Sequence, residues 1–202
     1  MTQTWTKLAT THGARAAVSL TMTDEELDAM TAHQSALLVD KLRPLLNGDE
    51  HRALDYGCGA ARLTPMLHDL LLHPDPLIWG YDPCREMLHL SRSDPQRPLI
   101  LTTTPPFHIG TFDVVFMAQV LGDPECRVGA VIGEALSLLA PGGLFVVYDH
   151  MPDYPPPGRW WRFRSKFFYQ GLLKSYDLGM DFITTMPQGE NEVTVLAGRS
   201  KP

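Results

Sequence analysis

The chain has 202 residues, 44% of them hydrophobic and 20% charged, and a net charge of -6. That length suits one domain with a full core, and the acidic balance leaves no basic footprint for nucleic acid. The sequence shows no apolar run near the ~20 residues that span a bilayer and no secretory signal, and its three scattered cysteines point to a reducing, cytoplasmic setting.

Residues 1–20 carry no decisive pattern. Thr23-Asp24-Glu25-Glu26 is a capping box, with a threonine N-cap and a glutamate three residues on. It predicts a helix from Asp24 to Leu42, with Leu27, Met30, Leu37, Leu38 and Leu42 on an interrupted stripe, ending near Arg43-Pro44. Asn47-Gly48-Asp49-Glu50 reads as a turn into a short buried strand around Ala53 and Leu54. Gly57 and Gly59 then bracket a turn that side chains would obstruct. Leu63, Met66 and Leu67 recur at helical spacing, predicting a helix as far as Leu72, broken at His73-Pro74-Asp75-Pro76. A strand feeding a helix through glycines lets a ligand meet the backbone and the free N–H groups of the helix start.

Leu77 to Tyr81 read as a strand ended by Asp82-Pro83, and Arg85 to Ser91 as a helix with Met87, Leu88 and Leu90 inward. Pro98 to Leu101 make a third strand and Phe112 to Met117 a fourth. Val128 to Leu139 form a helix with Val131, Ile132, Ala135, Leu138 and Leu139 on its apolar face. Pro141-Gly142-Gly143 turns the chain into a strand from Leu144 to Tyr148. Strands alternating with helices imply a mainly parallel sheet covered on both faces. The end differs. Pro152, Pro155, Pro156 and Pro157 stiffen a loop, and Trp160 to Leu173 read as an aromatic, arginine-rich helix. Phe182 to Met186 and Val193 to Ala197 form a closing hairpin around a turn at 187–191.

Asp55-x-Gly57-x-Gly59 at a strand end resembles motif I of the class I S-adenosylmethionine-dependent methyltransferases. Trp79-Gly80-Tyr81-Asp82 resembles their second strand with its ribose-binding acid. Phe112-Asp113-Val114-Val115-Phe116 resembles the fourth, and Leu139-Ala140-Pro141-Gly142-Gly143 the turn into the fifth. The four landmarks stand in the family's order. The resemblance implies an α/β, Rossmann-like, mainly parallel seven-stranded sheet with helices on both faces and a C-terminal antiparallel hairpin. It implies a single domain: a helical cap segment at 1–48, a cofactor-binding core at 49–150, and a substrate-side helix with the hairpin at 151–202.

It also implies S-adenosylmethionine as cofactor. Gly57, Cys58 and Gly59 would meet it through the backbone. Asp55 would hold its ammonium, and Asp82 both ribose hydroxyls through two acceptor oxygens. Pro83 and Met87 would flank the adenine, and Gln119 would line the methionine end. Arg62 lies in the same turn, and segments before motif I would bring Trp5, His12, Arg15 and Gln34 close. Standing alone, Asp55 or Asp82 would read as a helix N-cap, Cys58 as a small buried thiol, and Arg15 as a solvated cation. Asp113 reads as structural.

A nicotinamide dinucleotide is the rival cofactor, but its Gly-x-Gly-x-x-Gly fingerprint fails here because Arg62 stands where the third glycine belongs. An oxidoreductase and a non-catalytic binding module remain alternatives. For methyl transfer to oxygen or nitrogen, His150 after the fifth strand is the candidate general base, ahead of His108 and His12. Tyr154, Trp161 and Arg162, in the segment from Met151 to Lys174, are candidates for a wall that takes a small molecule such as a specialised metabolite or a glycan. The plainer alternative puts Trp160, Phe163, Phe167 and Phe168 on the core face of an amphipathic helix. No histidine stands at a metal-ligand spacing, no membrane partner is expected, and oligomeric state is not encoded legibly.

Overall fold

A computed structural model describes residues 2–201 apart from 93, 156–160, 180 and 189–190, and only the backbone at 2, 17, 187, 188 and 191. Seven strands form a mixed, mostly parallel sheet accompanied by helices and closed by an antiparallel C-terminal pair. The chain divides into two compact units, Met1–Pro106 and Phe107–Pro202.

In the first unit, helix α1 spans Thr2–His12, continues as a 3-10 turn at Gly13–Ala17, and is followed by α2 at Asp24–Leu42. The structure thus resolves the undecided opening as helix. The capping box is present as predicted: Thr23 accepts from the Glu26 N–H and Glu26 accepts from the Thr23 N–H. Three acids in the first turn add to it through the helix dipole. Leu27, Leu38 and Leu42 face the core. Strands β1 (Arg52–Tyr56), β2 (Leu77–Tyr81) and β3 (Leu99–Thr102) run parallel, with Asp55 opposite Gly80. Ala53, Leu54 and Ile78 are essentially sealed from solvent.

Two helices are shorter than their periodicity suggests. α3 covers only Met66–Leu70, not Leu63–Leu72, and α4 only Arg85–Leu88, not Arg85–Ser91. Pro65 occupies the N-cap of α3, and the residues before it fold into tight turns. The expected helix N-terminus at the glycines is therefore absent, and the backbone there follows a different geometry.

In the second unit, β4 (Phe112–Ala118) runs parallel to β5 (Leu139–Asp149). α5 (Val128–Ser137) lies between them in sequence and buries Val128, Ile132 and Ala135. The expected strand start at Leu144 moves to Leu139, because Leu139 already pairs with Phe112. Residues 140–143 bulge out before pairing resumes at Val114 with Leu144. Glycine is required at the bulge, where a Cβ on Gly143 would meet the Asp113 carbonyl at 3.0 Å and Gly142 has φ +75°.

α6 spans Lys166–Ser175, capped by Ser165, instead of Trp160–Leu173; Trp160 of that expected range, and Pro156 and Pro157 of the expected loop, lie outside the described residues. Starting at Ser165 sets its phase, so Tyr169 and Leu173 are its buried face. Phe167 (65% exposed) and Phe168 (45%) therefore point to solvent, which corrects the expected core stripe. Strands β6 (Phe182–Gln188) and β7 (Asn191–Arg199) form the expected hairpin, and β7 also pairs antiparallel with β5. The expected turn includes Gly189 and Glu190, outside the described residues.

Candidate functional site

In the first unit the chain leaves β1 at Tyr56 and turns back at once. The N–H groups of Gly57 and Cys58 both donate to the Tyr81 carbonyl at the end of β2, at 2.7 and 2.9 Å. Gly57 has φ +80° and Gly59 φ +56°, conformations that side chains resist. Ala61 adopts φ +55° without being glycine, a strained conformation for which the turn must compensate. On β2, a Cβ at Gly80 would sit 2.9 Å from the Cys58 Sγ and 2.7 Å from Leu101. Gly80 therefore makes room for the motif I turn.

Asp55 is 2% exposed. Thr64 Oγ1 donates to its Oδ2 at 2.6 Å, while its buried Oδ1 has no partner. Burial raises its pKa from 3.8 to about 7, opposed by the Thr64 bond; the nearby Asp82 charge adds to the rise and Arg62 reduces it. Asp82 links two elements: it accepts from Gly59 N–H on Oδ2 at 2.9 Å and from Cys84 N–H on Oδ1 at 2.8 Å. Burial raises its pKa too, against the effect of those two bonds. Each oxygen keeps a second lone pair for a further donor. Burial likewise holds the Cys58 thiol well above its ordinary range, so it stays protonated.

Around this turn, α1 packs onto α4. Ala9, Ala60, Cys84 and Met87 form a small buried cluster, with Trp5, Ala14 and Leu90 against it. Thr6 Oγ1 donates to Glu86 at 2.9 Å. Pro83 is half-buried beside them. Arg62 turns to α2, donating to Gln34 Oε1 at 2.5 Å and Thr31 Oγ1 at 3.2 Å. Gln34 is buried, and its Nε2 has no partner. Arg15 donates to the Met22 carbonyl at 3.0 Å and pairs with Asp24 at 3.3 Å, so its guanidinium ties the 3-10 turn to the start of α2.

In the second unit, Gln119 follows β4 with φ +54°, its N–H donating to the Tyr148 carbonyl at 2.7 Å. His150 follows β5. Its Nδ1 lies 3.0 Å from the Glu192 carbonyl. A carbonyl only accepts, so Nδ1 carries the proton and Nε2 of the neutral ring keeps its lone pair. Burial lowers the His150 pKa below 6.5, partly offset by the Glu192 bond. The Phe163 ring stands edge-on at 6.2 Å. Tyr154 is 92% exposed and Arg162 is exposed. Trp161 is half-buried, its indole lying against Gly122. Among the described residues, no cluster of three His, Cys, Asp or Glu side chains could hold a metal.

A family profile described as a methyltransferase domain matches residues 54–147, from β1 through most of β5. Over that span the chain is similar to the class I S-adenosylmethionine-dependent methyltransferases. The methyltransferase-domain match supports an S-adenosylmethionine-dependent enzyme. No protein of curated function matches the sequence. Among solved structures, magnesium protoporphyrin IX methyltransferase from Synechocystis with bound S-adenosylmethionine is similar at a TM-score of 0.66 and 15% identity, over 88% of this chain and 82% of that one. A possible histamine N-methyltransferase from Thermotoga maritima gives 0.64 and 16%, over 88% and 94%. The 1,6-didemethyltoxoflavin-N1-methyltransferase of Burkholderia thailandensis gives 0.59 and 19%, over 87% and 80%.

Two features of the site, Thr64 and Asp149, carried little signal in the sequence. Thr64 is fully buried and holds Asp55, but as a lone polar residue inside an apparent helix it gave no signal. Asp149 is 1% exposed at the end of β5, with its pKa raised to about 7 chiefly by burial. A charged residue closing a long apolar strand, next to the candidate base, was the available clue. Among the described residues no helix is long and apolar enough to cross a membrane.

Proposed function

We propose that this enzyme transfers a methyl group from S-adenosylmethionine to an oxygen or nitrogen of a small molecule. One observation carries the cofactor assignment: Asp55 holds a carboxylate oxygen, buried and without a partner, directly before a glycine turn. A buried lone acceptor is costly unless a ligand donates to it. The ammonium of the cofactor's methionine end is such a donor. Asp82 would take the ribose diol on its remaining lone pairs, and the backbone from Gly57 to Gly59, with neutral Cys58 between, would line the approach. Pro83 and Met87 would bound the adenine. Arg62 and Arg15 would act as supports through their bonds to α2 and its start.

When bound, the cofactor supplies a methyl on a positive sulfur that needs no further activation. The protein's part is to align the acceptor, exclude water and receive a proton. His150 is suited to the last task, with Nε2 free to accept and burial holding the ring neutral. Trp161 and Arg162 would face the acceptor side, together with Tyr154. A small acceptor is supported by the porphyrin and toxoflavin precursor named in two similar structures.

Calorimetric titration with S-adenosylhomocysteine, followed by transfer of labelled methyl to a panel of phenols, carboxylates and amines, tests this reading. Micromolar binding that Asp55→Ala weakens at least tenfold is expected. Failure to bind at millimolar concentration would remove the proposal.

A further inference from the structure

We infer that Asp149 and Gly122 are positioning residues that clasp residues 161–164 onto the turn after β4. The inference rests on the proposal that this segment serves the acceptor. Everything it uses lies within the second unit.

The clasp has three parts. First, the indole of Trp161 occupies the space a side chain at 122 would need: a Cβ there would fall 1.8 Å from Cε2 and 2.0 Å from Nε1. Second, the neighbouring backbone is tied to the same turn. Arg162 N–H donates to the Gly122 carbonyl at 2.6 Å, and Arg164 Nη1 to the Leu121 carbonyl at 2.5 Å. Third, Asp149 adjoins Trp161, Arg164 and the Leu121 backbone. Its Oδ1 accepts from His150 N–H at 2.8 Å. Its Oδ2 is buried and unpartnered, as is the Trp161 Nε1. The indole N–H is the side-chain donor that faces this carboxylate, although neither atom completes a hydrogen bond. The remaining groups around Asp149 are the Arg164 cation, the buried Tyr169 hydroxyl and Cys126 thiol, and the Leu121 backbone.

A carboxylate offers acceptors on both oxygens, so with His150 N–H on Oδ1 it still presents an unfilled acceptor, Oδ2, toward the indole N–H. An amide offers one acceptor and presents a donor to the other partner. Asp149 thereby couples the backbone of the candidate base to the ring that pins the acceptor segment. A merely space-filling Asp149 would show no such dependence on the indole N–H.

Arg162 and Arg164 are tryptic sites, which makes the clasp measurable in the native protein without a known acceptor. Trypsin should cut the wild type slowly after these residues. Asp149→Asn should be cut at least tenfold faster, because its amide opposes the indole N–H. Trp161→Phe removes that donor, so Asp149→Asn should add less than twofold in the Trp161→Phe background. Independent multiplication of the two effects, or a single variant cut no faster than wild type, would overturn the clasp. Gly122→Ala should open the segment as Asp149→Asn does, and it decides the matter should Asp149→Asn fail to fold by circular dichroism; unchanged cleavage in Gly122→Ala would count against the inference. S-adenosylhomocysteine affinity, read on the same samples, should stay within twofold of wild type. Its absence in every sample would sink the cofactor reading while leaving the cleavage cycle readable. In the transfer assay, these variants should raise the acceptor KM at least tenfold with the S-adenosylmethionine KM within twofold. A fall in kcat alone would refute positioning.

Discussion

Replacing Asp55 by Asn should make the cofactor-free enzyme more stable at pH 8 and a poorer binder. Asp55 has a folded pKa of about 7 against an ordinary 3.8, with burial as the first cause. The sign follows from linkage. Between about pH 4 and pH 7 the folded state holds the Asp55 proton and the unfolded chain has released it, so stability falls as pH rises through that window and is flat above it. The gap from 3.8 to about 7, at ~1.4 kcal/mol for each tenfold, is on the order of 4 kcal/mol of destabilisation at pH 8. An asparagine does not carry that cost. Its new N–H, placed in the same sealed space, takes back roughly 1–3 kcal/mol. The net gain is about 1–3 kcal/mol, or roughly 2–10 °C in Tm for a chain of this size. Thermal unfolding at pH 5 and pH 8, beside calorimetry with S-adenosylhomocysteine, checks both halves. The expected pattern is a higher Tm for Asp55→Asn at pH 8, a difference that shrinks toward pH 5, and at least tenfold weaker binding. A lower Tm at both pH values with unchanged affinity would show that Oδ1 is not kept free for a ligand, and the site assignment would fall.

Asp82→Ala should weaken S-adenosylhomocysteine binding at least tenfold, about 1.4 kcal/mol, because it removes the carboxylate and releases the Gly59 and Cys84 N–H groups it holds; equal affinity by calorimetry would refute its role. His150→Gln should lower methyl transfer roughly a hundredfold or more at neutral pH while leaving cofactor affinity intact. In the wild type, burial lowers the His150 pKa, so the rate should be level near pH 7 and fall only below about 6.5; a pH-rate profile falling already at pH 7.5 would contradict this. Thr23→Ala removes the Glu26 N–H bond at the start of α2 and should cost about 1 kcal/mol in urea unfolding. No measurable change would mean that the capping box adds nothing to the fold.

Local chemistry was read directly from the residues. The α2 limits followed from a threonine, a glutamate and a terminating Arg43-Pro44, all interacting within a few positions. β2 followed from a short apolar run before Asp82-Pro83. The glycine turn, Asp55 and Asp82 stood out because the backbone geometry they serve demands those residue types. The α3 and α6 boundaries did not follow. Leu63 at helical spacing mimics a helix start, but the chain there bends around Asp55 and Thr64. In α6, aromatic residues spaced for a helix from 160 onward were claimed by other contacts, with Trp161 against Gly122, while Ser165 began the helix five residues later.

The order of strands, the capped helix and the residue types at the cofactor turn were already determined by the sequence, since each rests on interactions between near neighbours. Only the tertiary structure decided which acids are sealed, which of their oxygens lack a partner, and that Gly80 and Gly122 leave room for Cys58 and Trp161. Those facts depend on residues far apart in the chain meeting in a solvent-free interior, where burial is the chief cause that moves Asp55 and Asp149 to pKa values near 7.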